Sequence, residues 1–72
     1  GNVDAQYRLG MLYSKGDCLE DNYKEAAKYF RKAALQGHLL SHYELGMLYK
    51  KGLGVAQDYT EAAHWLKLSL KS

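Results

Sequence analysis

Proline is absent from all 72 residues, and cysteine occurs once. With no proline, nothing forces a break in the backbone hydrogen-bond ladder, so continuous helices are open to every segment. The lone cysteine, Cys18, excludes an internal disulfide framework and favours either a reducing, cytoplasmic setting or indifference to redox state. Long hydrophobic runs are also lacking, since no stretch reaches the roughly 18 to 20 apolar residues of a membrane helix. The opening residues, Gly1-Asn2-Val3-Asp4, lack the basic-then-apolar order of a secretory signal, although a signal already removed would leave no trace. Neither sign of charge prevails: ten Lys and Arg against eight Asp and Glu leave +2, and each half of the chain carries one of those charges. Hydrophobic residues at 47% and charged residues at 25% describe an ordinary folded domain rather than a disordered chain.

What the chain does have is an internal copy of itself. A shift of 36 positions lays Tyr7 on Tyr43, Leu9-Gly10-Met11-Leu12-Tyr13 on Leu45-Gly46-Met47-Leu48-Tyr49, and Glu25-Ala26-Ala27 on Glu61-Ala62-Ala63. Gly1 falls on Gly37, Lys15-Gly16 on Lys51-Gly52, and Tyr23 on Tyr59. Self-similarity at a fixed period of this size marks stacked repeats, in which each unit buries its apolar face on a neighbour. Residues 1–36 and 37–72 are therefore taken as two repeats.

Each repeat reads as two helices. Ala5, Leu9, Leu12 and Tyr13 recur at i, i+4, i+7 and i+8, which places them on one expected apolar face, and Gly16 is expected to stop the helix. Asn22, with Glu25 three residues on, has the pattern of a capping box that would open the second helix. Asp58 and Glu61 repeat it. Tyr23, Ala26, Ala27, Phe30, Ala33 and Ala34 then give a face of small residues around one ring, as close helix packing requires. Gly37 reverses the chain. The expected helices cover about 3–15, 23–36, 38–51 and 59–70, joined by loops short enough to force antiparallel neighbours. Gly10 and Gly46 sit inside helices, each at about 1 kcal/mol relative to alanine, so contact with the adjacent alanine-rich helix is expected there.

The run Ala5-Gln6-Tyr7-Arg8-Leu9-Gly10-Met11-Leu12-Tyr13, then Gly16, Asn22-Tyr23-Lys24-Glu25-Ala26-Ala27 and Ala33-Ala34, resembles a Sel1-like repeat, a relative of the tetratricopeptide repeat. The second copy is similar at more positions, with Gly52-Leu53-Gly54-Val55, Asp58-Tyr59, Ala62-Ala63 and Trp65. The resemblance spans the whole chain. It implies an all-α fold, two antiparallel helical hairpins stacked as a right-handed superhelix, serving as an adaptor for protein assembly, often in bacteria. Two departures stand out, Cys18 in place of the glycine found at Gly54 and Ser69-Leu70 in place of Ala33-Ala34, and the sequence ends at Ser72, where a third glycine would next begin another repeat. The last helix therefore reads as terminal.

Catalytic and cofactor chemistry finds little footing. His38 and His42 are four apart, as paired metal ligands are, but no glutamate follows the first and no third ligand is evident, so they read as polar residues of a first helical turn. Ser41, His42 and Asp58 lack the nucleophile elbow and glycine-rich oxyanion loop of a triad. Gly52-Leu53-Gly54 follows a helix rather than a strand and lacks the lysine-serine ending of a phosphate loop. No histidine or basic cluster adjoins Cys18 to activate it. Lys28, Arg31 and Lys32 cluster on one helix, yet carboxylates are interleaved throughout, which argues against a nucleic-acid surface. No enzyme, metal, cofactor, nucleic acid or membrane is expected.

Binding of a protein or peptide remains. If the first helix of each pair lines the groove, as the resemblance implies, the groove residues are Asp4, Tyr7, Met11, Ser14 and Lys15, matched by Leu40, Tyr43, Met47, Lys50 and Lys51. Tyrosine supplies a rigid ring with a hydrogen-bonding tip and methionine an adaptable one, and the lysines would favour an acidic segment. A second reading packs Tyr7, Tyr43, Met11 and Met47 between helices. A function of a different kind is self-assembly: Trp65, Leu66, Leu68 and Leu70 make the last helix more apolar than its counterpart, which predicts a homodimer or stacking on further repeats.

Overall fold

The computed structural model describes residues 2–15 and 20–70. Among them the chain forms four helices and no strand: α1 (Val3–Ser14), α2 (Glu20–Leu35), α3 (Leu39–Lys51) and α4 (Tyr59–Leu70). Each helix packs on the next in sequence, α1 on α2, α2 on α3 and α3 on α4. The result is two stacked helical hairpins, 32 × 28 × 14 Å in extent.

Local chemistry sets the helix ends. The Asn2 side chain accepts hydrogen bonds from the Asp4 and Ala5 amides at 2.9 and 3.3 Å, supplying partners to two first-turn donors of α1. Asp58 does the same for α4, accepting from Thr60 at 2.9 Å and Glu61 at 3.1 Å. The reciprocal half of that expected capping box does not form, because the Asp58 amide donates to the Tyr49 carbonyl instead. Nor does Asn22 cap α2. It lies inside the helix, which begins at Glu20. Neither glycine nor proline stands at 20–22, so continuing the backbone ladder toward the N-terminus outweighs the local capping preference of asparagine. The expected stop at Gly16 and the altered turn at Cys18 lie outside the described residues.

The turn from α2 to α3 is a Schellman arrangement: the His38 amide donates to Ala33 and the Gly37 amide to Ala34, with Gly37 at φ 85°. His38 then caps α3 through its ring, Nδ1 accepting from the Ser41 amide at 3.3 Å. The α3–α4 turn contains Gly54 at φ 74°, a left-handed conformation, and a side chain on it would run into the backbone carbonyl of Tyr23. The second hairpin thus lies directly against α2.

The core is Ala26, Ala27, Phe30 and Ala34 of α2, Leu45, Leu48 and Tyr49 of α3, and Ala62 of α4. Alanines bring the backbones together, and Phe30, fully buried, fills the middle; burying a ring of that size contributes roughly 1.5–3 kcal/mol. A β-carbon on Gly10 would stand 2.7 Å from the Phe30 ring, and one on Gly46 would stand 2.7 Å from Leu66 and 3.2 Å from the Ala62 carbonyl. Both glycines are therefore required by close helix contact. One expected face is corrected. Ala5, Leu9 and Leu12 of α1 are exposed, whereas α1 meets α2 through Gly10 and the half-buried Tyr7, Met11 and Tyr13. A helical period shows which residues share a face but not which of two apolar faces finds a neighbour.

Candidate functional site

Side chains from the C-terminal halves of α1 and α3, one from each copy, line a shared cavity of about 280 Å³. From the first copy it takes Met11, Ser14 and Lys15, and from the second Met47 and Lys51. Tyr23 and Leu53 border it as well. Helical spacing accounts for the grouping: Met11, Ser14 and Lys15 at i, i+3 and i+4 share one face of α1, as Met47 and Lys51 share one of α3. The Ser14 hydroxyl is turned back onto its own helix, donating to the Met11 carbonyl at 3.0 Å. The lining thus combines two thioethers with charged and hydroxyl-bearing side chains.

The other expected groove residues lie elsewhere. The Tyr7 ring packs against Phe30 at 5.9 Å and His38 at 4.8 Å, so it belongs to the boundary of the core. Asp4 stands beside His38, with Oδ1 3.6 Å from Nε2. Leu40 and Tyr43 are exposed on α3, and Lys50 is exposed with its carbonyl accepting from Gln57 at 2.9 Å.

Glu44 is the member that reading the sequence missed. It lines the cavity half-buried, and removal from water raises its pKa above the ordinary value of 4.5, while the charges of Lys15 and Lys51 pull it back down. Tyr7 is raised as well, first by burial and then by the Glu44 charge. The signal was present in the repeat, because Glu44 occupies the register of Arg8 and reverses its charge. The site is thus two lysines around one carboxylate rather than a purely cationic groove.

A second depression, about 390 Å³ and open to solvent, lies on α1 alone, lined by Arg8, Met11, Leu12 and Lys15. On the C-terminal helix, Trp65, Leu66 and Leu68 are half-buried, with the Trp65 ring 5.5 Å from His42, while Leu70 is exposed.

The histidines hold the fold. His42 stands in the first turn of α3, as read from the sequence, and is buried; its Nε2 donates to the Ala34 carbonyl at 2.8 Å, fixing α3 to α2. His38 is engaged through Nδ1 with the Ser41 hydroxyl at 2.8 Å. Among the described residues no three of His, Cys, Asp and Glu converge as metal ligands, and no helix is long and apolar enough to cross a membrane. A family model described as Sel1 repeat matches the chain twice, over residues 3–38 and 39–71. No curated protein and no solved structure matches it.

Proposed function

Because the chain belongs to the Sel1 repeat family, whose repeats generally mediate protein–protein interaction, we propose that it is a non-catalytic adaptor module that seats a protein segment between α1 and α3. The observation that carries this reading is the convergence of Met11 and Lys15 of one copy with Met47 and Lys51 of the other on one cavity. The methionines receive an apolar side chain of an extended peptide or helix. Lys15 and Lys51 prefer an acidic residue next to it, and Glu44 accepts a donor from the partner backbone. Exposed Tyr43 and Leu40 extend the contact along α3. An assay with a fluorescent peptide alternating glutamate and leucine tests this. Binding that weakens at least tenfold in Lys15→Glu/Lys51→Glu supports the reading, and absent or unchanged binding contradicts it.

A second reading is self-association through the C-terminal helix, favoured by the exposure of Leu70 beside the half-buried Trp65, Leu66 and Leu68.

A further inference from the structure

Repeated sequence in unequal surroundings is informative, because identical residues of the same register, such as Leu12 and Leu48, differ only in what covers them. Leu48 on α3 is 5% exposed; Leu12, its counterpart on α1, is 70% exposed. Leu45 and Ser41 are likewise buried while Leu9 and Ala5 are open. The element that covers α3 is α2, through a line of residues at i, i+4, i+8 and i+11: the Tyr23 backbone meets the turn at Gly54, Ala27 is buried, Arg31 donates to the Tyr49 hydroxyl, and the Ala34 carbonyl accepts from His42. The same line on α4 is Tyr59, Ala63, Lys67 and Leu70, and all of it is exposed. Ala34 is 3% exposed and Leu70 83%. Among the described residues, both halves of the α2–α3 type of interface therefore stand uncovered, one on α1 and the other on α4.

Resting on the self-association reading and replacing its symmetric form, we propose that the chains join head to tail. The α4 of one copy lies across α1 of the next as α2 lies across α3. Leu70 and Ala63 then meet Leu12, Leu9 and Ala5. Lys67 holds the register of Arg31 and Tyr13 that of Tyr49, so the ammonium donates to the Tyr13 hydroxyl. Tyr43, 47% exposed, gains from the start of the next copy the cover that Tyr7 receives inside the chain from His38. The turn in the register of Gly54 lies outside the described residues, so the contact is centred on Leu9 and Leu12. A contact between unlike faces does not close on two copies, and each chain added leaves a free α1 and a free α4.

Mixing variants tests this arrangement. The weight-average mass of the wild type should rise from micromolar to millimolar concentration past that of two chains. Leu12→Glu removes the α1 face and Leu70→Glu the α4 face; both side chains are exposed, so both variants should keep the wild-type circular dichroism. Each alone should lose association at least tenfold, and an equimolar mixture should form a mixed dimer in which intact α4 of the first meets intact α1 of the second. Ala5→Glu and Ala63→Glu should repeat the pattern. A wild type that stays monomeric, a Leu12→Glu protein that still dimerises, or a mixture that stays monomeric overturns the proposal. A dimerising Leu12→Glu would assign association to a symmetric α4 contact instead, and none of these results bears on peptide binding between α1 and α3.

Discussion

Gly10→Ala should destabilise the protein even though alanine is the better helix former. The gain from helix propensity is about 1 kcal/mol. Against it, the new β-carbon would stand 2.7 and 2.8 Å from two carbons of the Phe30 ring and 3.1 Å from a third, well inside contact distance. Phe30 is fully buried among Ala26, Ala27, Ala34 and Leu45, so the ring cannot withdraw without displacing the core. Overpacking of this kind costs about 2–3 kcal/mol, leaving a net loss of about 1–2 kcal/mol. An unfolding entropy of about 2.1 cal/mol/K per residue over 72 residues is about 0.15 kcal/mol/K, so the midpoint should fall by about 7–13 °C. Thermal denaturation followed by circular dichroism measures the shift. Phe30→Leu should be less destabilising in the Gly10→Ala background than in the wild type, because the smaller side chain relieves the overlap. A neutral or stabilising Gly10→Ala, or strict additivity with Phe30→Leu, would refute the packing argument.

Gly46→Ala should lose less than Gly10→Ala under the same denaturation, since its new carbon meets Leu66, a half-buried side chain able to shift. Asp58→Ala should cost about 1 kcal/mol in urea unfolding by removing the α4 cap, whereas Asn22→Ala, within α2, should change stability by less than about 0.5 kcal/mol. His42→Ala should cost about 2–3 kcal/mol, because it empties a buried site and leaves the Ala34 carbonyl without its donor. Glu44 has a folded pKa raised above its unfolded value, so the folded state holds its proton more tightly. Its contribution is unfavourable above pH 4.5 and fades below it. Glu44→Gln should therefore be more stable than wild type at neutral pH, with the advantage vanishing in acid unfolding curves below pH 4.5.

The architecture was legible because the period of 36 residues registers directly in identical residues such as Leu-Gly-Met-Leu-Tyr, and the glycines inside helices pointed to close contacts that Phe30 and Leu66 indeed make. Capping was half legible. Asp58 follows a turn opened by the left-handed glycines Gly52 and Gly54 and starts its helix, whereas Asn22 carries the same signal with no breaker immediately ahead of it and is overrun. The α1 face was misjudged because Ala5, Leu9 and Leu12 have the composition of a buried stripe, and burial depends on a neighbour that the local pattern cannot supply. The burial of His42 was not legible, because only the fold brings the Ala34 carbonyl within reach of its ring. Of the groove set implied by the family resemblance, Met11, Ser14, Lys15, Met47 and Lys51 line one cavity, whereas tertiary packing, which local pattern does not carry, adds Glu44 of α3 and Tyr23 of α2 and seats Tyr7 against Phe30.

The central claim is that the two copies act together, binding a protein segment where α1 and α3 converge. Two-dimensional amide NMR of the labelled protein, titrated with the glutamate–leucine peptide, tests it most directly. The account predicts saturable shifts at Met11, Lys15, Glu44, Met47 and Lys51, one dissociation constant for all five, and little change along Tyr59, Ala63 and Lys67 of α4. Shifts confined to one helix or centred on α4, or no saturable shift at all, would contradict it.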